Sequence, residues 1–275
     1  MFCLFSLSET RNGLANRKIP HQQDREITMQ TDNKIALVTG GAKRVGRSIV
    51  EKLAQNGYDL VINHHSSDAE AQEVKLIVEQ FGRRCLIAKA DIQSPQAVQD
   101  MFILIKEQFG KLDLLVNNAS LYNKQPFPCD NFQPLHDSFG VAVYGSIYCA
   151  NEAAKIMLQQ GGGVIINIID LFAFYPRKNM MFHGISKAAL ASLTHYLAVE
   201  LSPTIRVNAI APGPVLPPEH YSVERKIKCA ERTLLKRWGT PEDVAKAVLY
   251  LADADYITGD ILFIDGGSHI NMAEH

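Results

Sequence analysis

The chain has 275 residues, 47% of them hydrophobic, and a formal net charge of −1. That length suits one large α/β domain or two small ones, and the near-neutral balance offers no electrostatic footprint for nucleic acid or an anionic membrane. Five scattered cysteines (Cys3, Cys85, Cys129, Cys149 and Cys229) form no C-x-x-C pair, which excludes a disulfide framework or zinc ribbon and fits a reducing, cytoplasmic setting.

The opening Met1-Phe2-Cys3-Leu4-Phe5 is apolar but short, with no basic stretch before it, so a signal peptide is not expected. Through Gln30 the chain is polar and aperiodic. It reads as a disordered extension, or as residues lying ahead of a protein that starts at Met29. Residues 31–275 read as a single domain. No apolar run reaches the roughly 18–20 residues of a membrane-spanning helix, and the histidines include no H-E-x-x-H, so no metal site is expected.

From Lys34 onward, short aliphatic runs alternate with helix-period segments. Ile35–Val38 reads as a buried strand, and Val45–Gln55 as a helix with Val45, Ile49, Val50 and Leu53 on one face. Leu60–Ile62 is the second strand, followed by a helix opened by the capping-box pattern Ser67-x-x-Glu70. Leu86–Ala88, Leu112–Val116 and Val164–Ile169 are further strands. The first of them is followed by a helix over Ala97–Phe109, and the second by a long helical stretch closed near Gln160 by Gly161-Gly162-Gly163. A helix from Gly184 to Leu201 leads to the strand Ile205–Ile210. A Pro-rich loop, Pro214–Lys236, is expected to cover a substrate. The helix Pro241–Leu251 and the strand Ile261–Ile264 finish the pattern. Continuous apolar strands separated by helices predict an α/β fold: a Rossmann-type, doubly wound parallel sheet in a three-layer α/β/α sandwich.

The turn Thr39-Gly40-Gly41-Ala42-Lys43-Arg44-Val45-Gly46 joins the first strand to the first helix. Glycines there permit a tight turn and close approach to a pyrophosphate, which the helix N-terminus meets with free N–H groups and a positive dipole end. NAD sites usually carry an acidic residue at the end of the second strand to bind the ribose 2′-OH. Here that end reads Asn63-His64-His65-Ser66-Ser67, with no carboxylate before Asp68. Imidazoles, hydroxyls and a helix N-terminus, helped by Lys43 and Arg44, form a cradle for a 2′-phosphate and favour NADP(H).

The turn resembles the T-G-x-x-x-G-x-G fingerprint of short-chain dehydrogenases/reductases, with Arg44 where the middle glycine is usual. That replacement resembles the pteridine-reductase branch, in which the arginine faces both the cofactor phosphates and the pterin. The branch's H-R-S phosphate patch falls on His65-Ser66-Ser67, although its arginine is Ser66 here. The resemblance implies that Asp91 and Ile92 wall the adenine. It further implies that Asn118, Ala119 and Ser120 (from N-N-A-S) lie along the nicotinamide ribose, and that Pro212-Gly213 flanks the nicotinamide. Tyr122 falls where that branch stacks an aromatic on the pterin. Tyr256-Ile257-Thr258-Gly259 and Asp265-Gly266-Gly267 match a C-terminal signature read as structural.

The family supplies the proton of reduction from a Tyr whose pKa is lowered by a Lys one helical turn later, in Y-x-x-x-K. The matching stretch here is His183-Gly184-Ile185-Ser186-Lys187, so Lys187 is in register and His183 replaces the tyrosine. Asp170 stands where the usual serine would be, as in pteridine reductases, and Ala142 where a helix asparagine is common. The chemistry left predicts a protonated Asp170, assisted by His183, as proton donor, with Lys187 holding the nicotinamide ribose. Arg44, Ser120, Tyr122, Asp170 and His183 would then contact the substrate. The resemblance implies NADPH-dependent reduction of a small-molecule pterin by a homotetramer built on helices near residues 135–160 and 183–201, whose apolar stripes could equally face the sheet. The alternatives are a carbonyl or alcohol reductase of another substrate, and an NADP-binding protein of impaired or absent catalysis.

Overall fold

The computed structural model describes residues 33–218 and 221–272, so the N-terminal extension lies outside the described residues. Seven strands form one sheet: β1 (Ile35–Val38), β2 (Asp59–His64), β3 (Cys85–Lys89), β4 (Leu114–Asn117), β5 (Gly163–Ile168), β6 (Ile205–Pro212) and β7 (Ile261–Ile264). Their order is β3-β2-β1-β4-β5-β6-β7 and every neighbouring pair is parallel. The doubly wound fold expected from the alternation of elements is the fold observed.

Side chains alternate across the sheet. Ala36 and Val38 pack with α1 (Arg44–Gln55), α2 (Asp68–Gln80) and α8 (Pro241–Asp253). Ile35 and Leu37 pack on the other side with α3 (Pro95–Phe109) and α5 (Ser146–Gln160). Leu190 and Ala191 of α6 (Met181–Leu201) extend that second layer beneath β6 and β7. The direction of winding reverses between β1 and β4, and a ligand crevice opens at the carboxyl ends of strands at such a point. Val38 pairs with both Ile62 and Val116 there, so the three loops that follow start side by side.

Three local expectations are corrected. The long helical stretch before Gln160 is a composite: α4 (Gln133–Phe139), a π-helical turn over Gly140–Gly145, and α5. Glycines bracket the turn because a Cβ at Gly140 would strike the Gln93 side chain and one at Gly145 the Ile92 side chain. Second, the capping box at α2 does not form. Ser67 makes no side-chain cap; its backbone N–H donates to His64 Nδ1 at 3.2 Å, and Glu70 instead pairs with Lys43 at 2.7 Å. Third, the Pro214–Lys236 loop contains a helix, α7 (Val223–Glu231), capped by Ser222 Oγ accepting from the Arg225 N–H. A short helix, α9 (Ser268–Met272), follows Asp265, whose carboxylate accepts from the Gly267 and His269 N–H groups. Among the described residues no helix is long and apolar enough to cross a membrane.

Candidate active site

The β1–α1 turn is built for close approach. Gly40 has φ +60°, and a Cβ on Gly46 would collide with the Gly40 carbonyl and the Asn118 amide. Thr39 Oγ1 accepts from the Asn118 and Ala119 N–H groups at 2.9 and 3.0 Å. The Asn118 side chain donates to the Thr39 and Gly40 carbonyls at 2.8 and 3.2 Å. This amide, expected on the cofactor, is therefore committed to bracing the turn. Beside it Ala119 is half-buried and Ser120 is exposed. Lys43, at the α1 N-cap, makes no side-chain cap, and Val45 and Gly46 lie in the first turn. Arg44 has φ +52°, the left-handed region where glycine is the natural occupant, and its exposed guanidinium has no ion pair among the described residues. A free helix N-terminus over two glycines fits a diphosphate.

The end of β2 is more selective than its sequence shows. His64 is buried; its Nδ1 accepts a hydrogen bond, and burial lowers its pKa below the ordinary imidazole value, so it is a neutral spacer and not part of a phosphate cradle. His65 and Ser66 are exposed, with Ser67 half-buried beside them. Asp68 is held by Lys89 at 2.9 Å and Glu70 by Lys43. Neither carboxylate lies at the strand end, where a 2′-OH would need it. Asp91 accepts from the Gln93 N–H at 3.0 Å, and Ile92 is buried against Gly145.

The catalytic candidates converge on the loops after β5 and β4. His183, 3% exposed on the first turn of α6, points one ring nitrogen at each loop: Nδ1 lies 3.0 Å from the Leu121 carbonyl and Nε2 lies 3.4 Å from Asp170 Oδ2. A carbonyl only accepts, so Nδ1 carries a proton. With the hydrogen on Nδ1, Nε2 and Asp170 Oδ2 at 3.4 Å can form a hydrogen bond only through one further proton between them. Asp170 Oδ1 accepts from the Phe172 N–H at 2.9 Å, which fixes the carboxyl plane. Lys187 is buried one turn further along α6, its Nζ donating to the Ile168 carbonyl at 2.7 Å. Burial lowers its pKa to about 8, against a smaller upward pull from Asp170. Ala142 is buried in the π-helical turn and offers no polar group.

Aromatic rings close the cleft. The half-exposed Tyr122 ring stands edge-on to His183 at 5.2 Å, and Phe172 faces both, at 6.4 Å from Tyr122 and 6.3 Å from His183. Pro212 ends β6, and Gly213 sits against Leu171 and Asp265, where any side chain would clash. Sequence reasoning missed the Leu121 carbonyl, because a backbone acceptor leaves no residue-type signal. It also missed Phe172, whose aromatic character two residues after Asp170 was the available clue.

A family profile described as Enoyl-(Acyl carrier protein) reductase matches residues 40–269. The chain is 36% identical to a 3alpha-hydroxysteroid dehydrogenase of Mediterraneibacter gnavus, covering 87% of this chain and 98% of that protein. It is 32% identical to an L-rhamnose 1-dehydrogenase (NAD(P)(+)) of a Sphingomonas species, over 88% of this chain and 98% of that one. Among solved structures, a 7 alpha-hydroxysteroid dehydrogenase complexed with NADH and 7-oxo glycochenodeoxycholic acid superposes with a TM-score of 0.81 at 30% identity, covering 86% of this chain and 96% of that one. An acetoin dehydrogenase from Enterobacter cloacae gives 0.80 at 34% identity, over 87% and 96%.

Proposed function

The chain belongs to the short-chain dehydrogenase/reductase family of NAD(P)-dependent oxidoreductases, and from that premise we propose that it is an NADPH-dependent reductase of a pterin or dihydropterin. The observation that carries this reading is the Asp170–His183 contact beside Tyr122, with no tyrosine at the usual proton-donating position. Reduction of a ring C=N bond takes a hydride on carbon, which the nicotinamide supplies when bound, and a proton on nitrogen, which the chain must deliver.

His183 has both nitrogens engaged and lies behind the cleft, so it is a positioning residue. Leu121 fixes its tautomer, and its Nε2 holds the shared proton against Asp170. Asp170 is the more exposed partner of the pair and the one that faces a substrate. A carboxylic acid so placed donates to a basic ring nitrogen, and a flat ring stacking on Tyr122 would lie within its reach. Lys187, with one of its three protons on Ile168, has two left for the nicotinamide ribose hydroxyls. Gly40, Lys43, Arg44, Val45 and Gly46 would hold the diphosphate, and His65, Ser66 and Ser67 the 2′-phosphate. Asp91 and Ile92 would wall the adenine. Ala119, Ser120 and the Pro212-Gly213 turn would line the nicotinamide end, where Arg44 and Ser120 also meet the substrate.

The second reading, a reductase of another small carbonyl or alcohol substrate, is favoured by the sugar, steroid and acetoin dehydrogenases among the relatives. NADPH oxidation with dihydrobiopterin, dihydrofolate and a panel of ketones separates the two. Turnover of the pterins above the ketones supports the first, the reverse order supports the second, and binding of NADPH without any turnover supports an impaired enzyme. We also propose a homotetramer, since exposed Tyr144, Ile147 and Leu158 on one helical stretch and Tyr196 and Val199 on α6 leave apolar surface for subunit contacts. Light scattering tests it.

A further inference from the structure

The rim of this site is strongly basic on a chain that is not. Among the described residues, the segments 121–131, 171–180 and 221–237 carry nine lysines and arginines against three carboxylates, while the whole chain has a net charge of −1. The first two of these segments meet at the cleft. The Gln125 N–H donates to the Asn179 carbonyl at 2.9 Å, joining the first two, and the Leu121 carbonyl ties the first to His183.

Two of the cations are held in place by aromatic rings. The Arg177 guanidinium lies 5.5 Å over Phe172, the ring that also faces Tyr122 and His183. The Arg225 guanidinium lies 4.1 Å over the buried Tyr221 ring, at the start of α7. Both side chains are exposed, and neither has a carboxylate in ion-pair range among the described residues. Both cations act on the Tyr122 phenol. Burial and the Asp170 carboxylate push the Tyr122 phenol above its ordinary pKa, and Arg177 and Arg225 pull it back. A guanidinium resting over an aromatic face is partly pre-positioned, and its planar fork of donors suits bidentate capture of a carboxylate.

We propose that Arg177 and Arg225 form a carboxylate-binding mouth beyond Tyr122, so that the substrate is an anionic one whose acidic tail projects out of the cleft while its reducible ring lies against Asp170. The assignment of the ring as a pterin rests on the function proposed above; the anionic mouth rests on the two arginines. In pterin terms the enzyme favours a ring bearing a carboxylate tail over one bearing a short neutral tail.

The test compares kcat/KM for dihydrofolate, with two tail carboxylates, and for dihydrobiopterin, with none, at low and high salt. The preference for dihydrofolate is expected to be about tenfold or more at low ionic strength and to shrink at high salt. In Arg177→Gln/Arg225→Gln the ratio falls towards one, and in Arg177→Glu/Arg225→Glu it falls further. Arg177→Lys/Arg225→Lys, which keeps the charges, retains part of it. A wild-type ratio near one, or a ratio indifferent to these substitutions in protein that still binds NADPH, overturns the mouth and leaves pterin reduction standing. If neither pterin is reduced, titration of folate and biopterin into the NADPH-loaded protein decides. Tighter folate binding that the Gln variants abolish upholds the mouth while the reductase reading fails, and equal or absent binding sinks both.

Discussion

His183 Nε2 lies 3.4 Å from Asp170 Oδ2 while the opposite ring nitrogen faces the Leu121 carbonyl at 3.0 Å. The imidazole is thereby pinned between the two loops, with Asp170 the more exposed partner of the pair. Removing the carboxyl, in Asp170→Ala, is expected to lower kcat by roughly 10²–10⁴, the range for loss of one positioned acid. His183→Phe keeps the ring packing on Tyr122 and Phe172 but loses the shared proton. It should reduce kcat with little change in KM, a split that a purely structural role would not produce.

Lys187 carries the clearest conflict between stability and function. Its folded pKa of about 8, against 10.5 for the free side chain, means that between those pH values the unfolded chain binds a proton that the folded chain does not. Stability therefore rises with pH through that window, by about 3 kcal/mol at most. Lys187→Met removes the buried charge and leaves the Ile168 carbonyl unpaired, so a net gain of about 1–2 kcal/mol at pH 7 is expected, with loss of turnover. Denaturant melts at pH 7 and pH 10 check it: the variant's advantage should narrow at the higher pH.

At Arg44, a left-handed backbone on a side chain other than glycine costs about 1–2 kcal/mol. Arg44→Gly relieves that, offset by about 0.4–1 kcal/mol of added freedom in the unfolded chain. The variant should unfold at the same or a slightly higher temperature, yet bind NADPH about tenfold more weakly for want of a charged phosphate contact. Calorimetry and fluorescence titration read the two effects separately.

Gly46→Ala tests the cradle. The added methyl meets the Gly40 carbonyl and the Asn118 amide, so the turn must open. A destabilisation of about 1–3 kcal/mol is expected, together with loss of cofactor binding at concentrations that saturate the parent.

At the end of β2, Ser66→Arg supplies the cation that the exposed His65-Ser66 surface lacks. A charged hydrogen bond of about 1.5–3 kcal/mol should raise NADPH affinity tenfold or more, with little change for NADH. An equal gain for both cofactors would place the 2′-phosphate elsewhere.

The strand and helix order was legible because both sides of the sheet are covered. Runs such as Ile35–Val38 and Leu60–Ile62 had to be continuously apolar, and glycines and prolines marked their ends. The geometry of the candidate site was legible where a motif fixes the backbone, as at Gly40 and Gly46, or helical spacing, as at His183 and Lys187. It was obscured where a side chain's partner comes from another loop. Asn118 turns back to the phosphate turn, His64 turns inward, and Glu70 prefers Lys43 to its own helix cap. The π-helical turn at Gly140–Gly145 was not legible, and the side chains its two glycines make room for, Ile92 and Gln93, lie some fifty residues earlier in the chain.

The most direct measurement follows the label from NADPH deuterated at the nicotinamide C4 position, with a dihydropterin as acceptor, in the parent protein and in Asp170→Ala. The account predicts deuterium on the pterin ring in the parent, and transfer slowed by at least about a hundredfold in the variant although NADPH still binds. Deuterium transfer at the same rate in both would contradict it.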